Sequence, residues 1–207
     1  MPDELDGLVA TSAEIPGWTL KDDARAVAEA SYGLAGNPTI VEIGVFMGRC
    51  TLLLAGARKL KGSGTVHCVD PFDCSGDEFS IPHYKKELDT SGLDRLDLVF
   101  YRNLMRYGLE DIVDIHQVRS EVAVLNWTRP IDLLLLDGDQ SPAGARAAFE
   151  AWVPMLKPGG IIILRNTKDK VYADGHDGHR RLAVEALVPP QFINKRQVNA
   201  TTLAVKA

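Results

Sequence analysis

No apolar run in the 207-residue chain approaches the ~20 residues a membrane span needs; the densest are Leu133–Leu136 and Ile161–Leu164. Cysteine is scarce. Cys50, Cys68 and Cys74 are an odd three without CxxC spacing or a neighbouring histidine pattern, which excludes a zinc site or disulfide framework built on them. Cys50 and Cys68 lie inside apolar segments and read as small buried hydrophobes. A basic excess is also missing: 28 acids against 23 bases leave −5, which argues against a dedicated nucleic-acid binder. The amino end, Met1-Pro2-Asp3-Glu4-Leu5-Asp6, lacks the basic-then-apolar layout of a signal peptide, so a cytoplasmic protein is expected. There is no internal repeat. A dinucleotide fingerprint fails because the third and sixth places counted from Gly44 are Phe46 and Arg49, and no GK[ST] phosphate loop occurs.

What is present is an ordinary globular composition, 45% hydrophobic and 25% charged, at a length that predicts one domain. Asp22–Leu34 has apolar or small residues at helical spacing and stops at Gly36-Asn37-Pro38. Strands are expected at Thr39–Ile43, Thr65–Asp70, Ile112–Val118, Ile131–Leu136 and Ile161–Leu164. Between them lie helical patterns at Thr51–Leu60, around Tyr84–Leu88 and at Leu93–Tyr107, with Pro71–Pro82 reading as a loop. Ser141-Pro142 opens a helix as N-cap and N1, running to about Leu156. Arg180–Leu187 is a further helix, and Phe192–Val198 and Thr201–Lys206 are two closing strands. This alternation predicts an α/β doubly wound, mostly parallel sheet of Rossmann-like type. The last two strands are too close for a helical crossover and should pair antiparallel.

Ligands of such sheets bind beyond the carboxyl ends of the strands. The first of these ends carries Glu42-x-Gly44-x-x-x-Gly48, where glycines let the backbone approach a ligand and the following helix start offers free N–H groups. A carboxylate at Glu42 suits a cationic partner, since an unpaired buried charge is expensive. Asp70, ending the second strand, can accept hydrogen bonds from ribose hydroxyls. Together they favour a nucleoside ligand that carries a cation rather than phosphates, against the alternative that both acids cap helices or turns.

The ordered set Val41-Glu42-Ile43-Gly44-x-x-x-Gly48-x-x-Thr51, Asp70, Leu136-Asp137-Gly138-Asp139 and Lys157-Pro158-Gly159-Gly160 resembles the class I S-adenosylmethionine-dependent methyltransferases. Within them it is similar to the small O-methyltransferase group of catechol-type and macrocin-type enzymes. The resemblance spans about residues 38 to 206, leaving 1–37 as an N-terminal helical extension to a 38–207 methyltransferase domain. It implies the sheet order 3-2-1-4-5-7-6 with the seventh strand antiparallel, and S-adenosylmethionine (SAM) as cofactor. Glu42, Gly44 and Gly48 would line its methionine end, Asp70 would hold the ribose, Ser120 and Glu121 would flank the adenine, and Asp137 would face the reaction centre.

Two positions depart from these patterns. Catechol-type enzymes hold a divalent cation such as magnesium through an aspartate after strand four and an Asp-Asn pair after strand five. Asp137 and Asn166 match the outer places, with Asp139 a further oxygen ligand, but the middle place is Arg165, a permanent cation. The macrocin-type Asp-Gly-Asp-His ends here in Gln140, which takes no proton at neutral pH. The candidate bases are therefore Asp139 and, in the loop after strand five, His176 and His179, whose imidazoles match a hydroxyl acceptor better in basicity. The expected function is methyl transfer from SAM to a hydroxyl of a small molecule, without nucleic-acid or membrane partners and with a homo-oligomer left open. The alternatives are N-methylation or oxidation on the same fold, or a non-catalytic SAM-binding protein.

Overall fold

A computed structural model describes residues 2–207. In chain order its elements are α1 (Pro2–Ser12), α2 (Lys21–Tyr32), β1 (Thr39–Ile43), α3 (Arg49–Lys61), β2 (Thr65–Val69), α4 (Ser80–Thr90), α5 (Leu96–Tyr107), β3 (Val113–His116), α6 (Ser120–Ala123), β4 (Ile131–Leu136), α7 (Pro142–Trp152), β5 (Leu156–Leu164), α8 (Gly178–Glu185), β6 (Phe192–Val198) and β7 (Thr201–Lys206). The seven strands form one sheet in the order β3-β2-β1-β4-β5-β7-β6. β1 to β5 pair parallel, and β7 runs antiparallel to both β5 and β6. This is the doubly wound topology expected from the alternation and the closing hairpin.

Successive side chains on a strand face opposite sides of the sheet, and the core divides accordingly. Ile40, Leu133 and Leu135 point to a layer that holds α1, α2, α3 and α5. Val41, Ile43, Leu134 and Leu136 point to a layer with Phe149 and Trp152 of α7 and Leu182 of α8. Leu5 and Val9 of α1 and Val27 of α2 enter the same cluster as Leu52–Leu54 of α3, so the first helices are part of this core. The turn at the end of α2 is held by Arg58, a buried guanidinium donating to the carbonyl oxygens of Ser31 (2.6 Å) and Leu34 (3.1 Å). It satisfies acceptors that a helix end leaves free.

Several boundaries differ from the sequence expectation. The helical extension expected over 1–37 holds two helices, of which only α2 was placed; the acidic amino end of α1 masks the apolar stripe of Leu5, Leu8 and Val9. The loop Pro71–Pro82 is shorter than expected: α4 starts at Ser80 and takes in Pro82 near its start, where its missing N–H costs nothing. α7 ends at Trp152 in a 3-10 turn over Val153–Met155. Lys157-Pro158-Gly159-Gly160 lies within β5 rather than before it, paired through Leu156 with Ile131 and resuming register at Ile161 beyond an irregularity. The serine cap of α7 is as expected, with Ser141 Oγ accepting from the Gly144 N–H at 3.0 Å.

Leu134, fully buried between β1, β5 and α7, tests this packing. Leu134→Ala is expected to cost ~2–5 kcal/mol of unfolding free energy, measured by urea denaturation, with an unchanged far-UV spectrum.

Candidate active site

Two cavities open beyond the carboxyl ends of the parallel strands. The first, about 510 Å³, is walled by Gly44 after β1, Asp70 after β2, Ser120 and Glu121 after β3, and Asp137 and Asp139 after β4. The second, about 670 Å³, lies between the chain before α2, α4 and the segment after β5; its walls include Trp18, Phe79, His83, Arg165, Asn166 and His176. The two share Asp137 and Tyr84.

The floor of the first cavity is set by a close backbone approach. Gly44 has φ 81°, and a Cβ there would lie 2.4 Å from Cα of Gly138, so the loops after β1 and β4 meet only because the residue is glycine. Asp70 organises the same loop. Its Oδ2 accepts the N–H groups of Val45 (2.7 Å) and Phe46 (3.1 Å), and its Oδ1 that of Phe72 (2.7 Å). Burial raises its pKa against these three bonds. A carboxylate offers about four acceptor sites, so one stays open to the cavity.

Glu42 and Gly48 stand elsewhere. Gly48 is the left-handed residue leading into α3, packed so closely on Phe100 that a Cβ would sit 2.9 Å from its ring. Glu42 is wholly buried behind the cavity floor, with Oε2 accepting from Thr51 Oγ1 at 2.6 Å and Oε1 lacking any partner. Burial pushes its pKa up to about 8, the Thr51 bond opposing.

At the boundary of the two cavities Asp137 faces Arg165, whose Nε lies 3.5 Å from its Oδ2. Arg165 is itself buried. Its Nη1 pairs with Asp23 Oδ1 (3.3 Å) and with Thr201 Oγ1, and its Nη2 with Thr19 Oγ1 (3.1 Å). Burial pushes the Asp137 carboxyl up to about 6, with Arg165 opposing. Beside this boundary Trp18, Phe46 and Tyr84 form an aromatic trio with ring centroids 5.1 to 5.7 Å apart.

The candidate bases separate sharply. His176 Nδ1 lies 2.9 Å from Asp77 Oδ1, and its Nε2 lies 3.0 Å from the Asn166 amide nitrogen. Asp77 is almost fully buried and held to about 2. Burial opposes that drop, which the His176 and Ser80 hydrogen bonds produce. His179 is buried in α8, its Nδ1 donating to the Arg165 carbonyl at 3.2 Å, and burial lowers its pKa to about 4. It lines neither cavity. Asp139 accepts the Ser141 N–H at 2.8 Å and borders only the first cavity. Gln140 is buried in the second, its amide nitrogen 3.4 Å from Asp137 Oδ1.

These positions do not fit a divalent metal ion. The guanidinium of Arg165 already faces Asp137, Asn166 is directed to His176, and Asp139 borders a different cavity from Asn166. A permanent cation stands where the ion's charge would be.

Comparison with known proteins agrees with this layout. Residues 41–167 match a family model described as a methyltransferase domain. The chain belongs to that methyltransferase family. An O-methyltransferase from Bacillus cereus solved with S-adenosylhomocysteine (SAH) is 18% identical, aligns over 99% of this chain and 91% of its own, and gives a TM-score of 0.61. An SAH-bound methyltransferase from Podospora anserina is 12% identical over 100% and 89%, with a TM-score of 0.66. An O-methyltransferase from Streptomyces achromogenes involved in tomaymycin synthesis, solved with SAM, is 15% identical over 99% and 98%, with a TM-score of 0.55. At these identities the likeness is one of fold.

Two contributors to this methyltransferase's site, Trp18 and Tyr84, escaped the sequence, having no motif around them. Asp77 belongs to the loop Pro71–Pro82, readable as a solvated connection or part of a lid, but its pairing with a histidine 99 positions away was not legible. The nearest signal was the acid-rich composition of the loop carrying Asp73 and Asp77.

The burial of Glu42 gives a pH-dependent expectation. Its pKa is about 8 in the fold against an ordinary 4.5, so the native state keeps a proton that the unfolded chain releases. Its contribution to stability therefore falls as pH rises from about 4.5 to about 8. Glu42→Gln, neutral at every pH, is expected to gain melting temperature relative to the parent between pH 5 and pH 9. A difference that does not change with pH would show that the buried carboxyl is ionised throughout.

Proposed function

We propose that this methyltransferase moves a methyl group from SAM to a hydroxyl oxygen of a small molecule, with His176 as the base. The observation that supports the reading best is the meeting of two cavities at Asp137 and Tyr84 alone: donor and acceptor enter from different sides and touch across one boundary. Methyl transfer needs that in-line approach more than it needs any covalent help from the protein.

The first cavity suits the donor. Asp70 offers its open acceptor site to ribose hydroxyls, Ser120 and Glu121 stand where the adenine would lie, and Asp137 and the aromatic trio suit a sulfonium cation. When bound, SAM supplies a methyl carbon already activated by positive sulfur. The Asp137 carboxylate and the ring faces at the boundary hold and orient that charge.

His176 does the proton chemistry in this reading. Asp77 accepts from Nδ1–H, which leaves the Nε2 lone pair facing the second cavity. An acceptor hydroxyl would replace the Asn166 amide at Nε2, where the imidazole would take its proton as the oxygen accepts the methyl group that SAM supplies. Phe79 packs on the His176 ring at 4.6 Å between centroids, and the Tyr172 hydroxyl lies 2.8 Å from the carbonyl oxygens of Asn166 and Lys168, folding the loop that carries the histidine.

The test begins with isothermal titration. SAH is expected to bind the parent chain, while Asp70→Ala loses ~1–3 kcal/mol of binding free energy as hydrogen bonds to a charged acceptor go. SAH release from SAM is then followed over a panel of hydroxylated aromatic and sugar acceptors. With a working acceptor, His176→Ala and Asp77→Asn are each expected to lower kcat by ~10²–10⁴-fold, with SAH affinity kept. Asp139→Asn and His179→Gln keep the parent pH–rate profile. Full activity of His176→Ala alongside a dead Asp139→Asn would move the base to the loop after β4; SAH binding without turnover of any acceptor would favour a cofactor-binding protein.

A further inference from the structure

At the edge of the sheet furthest from the second cavity, three side chains from neighbouring strands converge on one point. His67 stands on β2 opposite Asp114 of β3, and His116 ends β3. His67 Nδ1 lies 3.2 Å from both His116 Nε2 and Asp114 Oδ2, and those two atoms are 3.8 Å apart. Asp114 Oδ2 carries lone pairs, and each imidazole nitrogen does so when its ring's proton sits on the other nitrogen. One imidazole proton can bridge only a single pair of them, so an electron-rich triangle is left around its centre. A point equidistant from atoms so spaced is about 2.0 Å from each, matching the ~2.0–2.2 Å of zinc to imidazole nitrogen and carboxylate oxygen.

We propose that His67, Asp114 and His116 form a site for a borderline divalent transition ion such as zinc. Two imidazoles and one carboxylate are the donor set such ions favour over magnesium or calcium. His67 is buried and fixed, whereas Asp114 and His116 are partly exposed, giving the ion a path from solvent and room for water as a fourth ligand. Trp127 stands edge-on to His67 at 4.9 Å and close to His116, fixing both rings. Among the described residues Arg129 is the cation at the cluster, its Nη1 3.4 Å from His67 Nε2; its side chain is exposed and has room to turn outward once His67 Nε2 carries the proton. The site pins the edge strand whose end leads to the donor cavity, since the His116 carbonyl accepts the Asp70 N–H at 3.3 Å.

The full chain, freed of metal by dialysis against chelator, is titrated with zinc and separately with magnesium by calorimetry and thermal shift. One zinc per chain is expected, with a rise in melting temperature and no response to magnesium. His116→Ala and Asp114→Ala, both substituted at accessible positions, weaken zinc at least tenfold and abolish the thermal shift. His176→Ala keeps both, and Arg129→Gln tightens binding. Cobalt(II) in place of zinc gives visible absorption bands of a four-coordinate ion in the parent and not in His116→Ala. Zinc affinity unchanged in His116→Ala and Asp114→Ala, or lost instead in His176→Ala, overturns the site.

Discussion

The ionic row from buried Asp23 and Arg165 to partly exposed Asp137 holds the functional end of this molecule together. A guanidinium taken out of water is tolerable only where its donors and charge are met. Here Asp23 meets one side and Asp137 the other, while Thr19 and Thr201 take further donors. Asp23 is itself saturated by the Asn199 amide, the Ala200 N–H and the Thr201 hydroxyl. One cation thereby joins α2, the ends of β4 and β5 and the β6–β7 turn. Removing either the cation or Asp23 leaves an uncompensated charge in the interior, so the row behaves as a unit.

That row also decides what chemistry the boundary can host. Where a metal ion would both neutralise Asp137 and bind an acceptor oxygen, Arg165 does only the first, because its Nη1 and Nη2 donors are turned to Asp23, Thr201 and Thr19 and its Nε faces Asp137. In the proposed reaction the acceptor's proton then goes to a side chain, and among the described residues His176 is the imidazole that reaches both a carboxylate and one of the two cavities. The burial of His179 follows from the same requirement: its Nδ1 holds the carbonyl of Arg165 and so supports the cation's backbone.

The sheet was legible in the sequence because its signals are local. Four-residue apolar runs, the Ser141-Pro142 cap and the short Asn199-Ala200 link each constrain their own neighbourhood, and the doubly wound order follows from chain connectivity. The wall of the first cavity was legible for the same reason, since Asp70, Asp137 and Asp139 follow strand ends directly. Glu42 shows the limit. Its position at a strand end was clear, but which face of the strand it takes depends on the alternation, and that alternation places it beneath the floor beside Thr51. The second cavity was legible only in part: Arg165, Asn166 and His176 were marked by their place after strand five, but Trp18 and Tyr84 come from separated segments, and only packing brings them to the same wall.

This difference between the two cavities has a physical basis. The first is built from strand ends locked by the parallel sheet, where a shift of one residue would turn every side chain to the other face. The second is built from the chain before α2, from α4 and from the loop after β5, segments whose positions rest on side-chain contacts such as Asp77–His176 and Arg165–Thr19. A wall of that kind changes with single substitutions while the donor side stays fixed. In the proposed reaction, acceptor choice then rests with the residues around His176 and Trp18, and the sheet itself sets only where the two cavities meet.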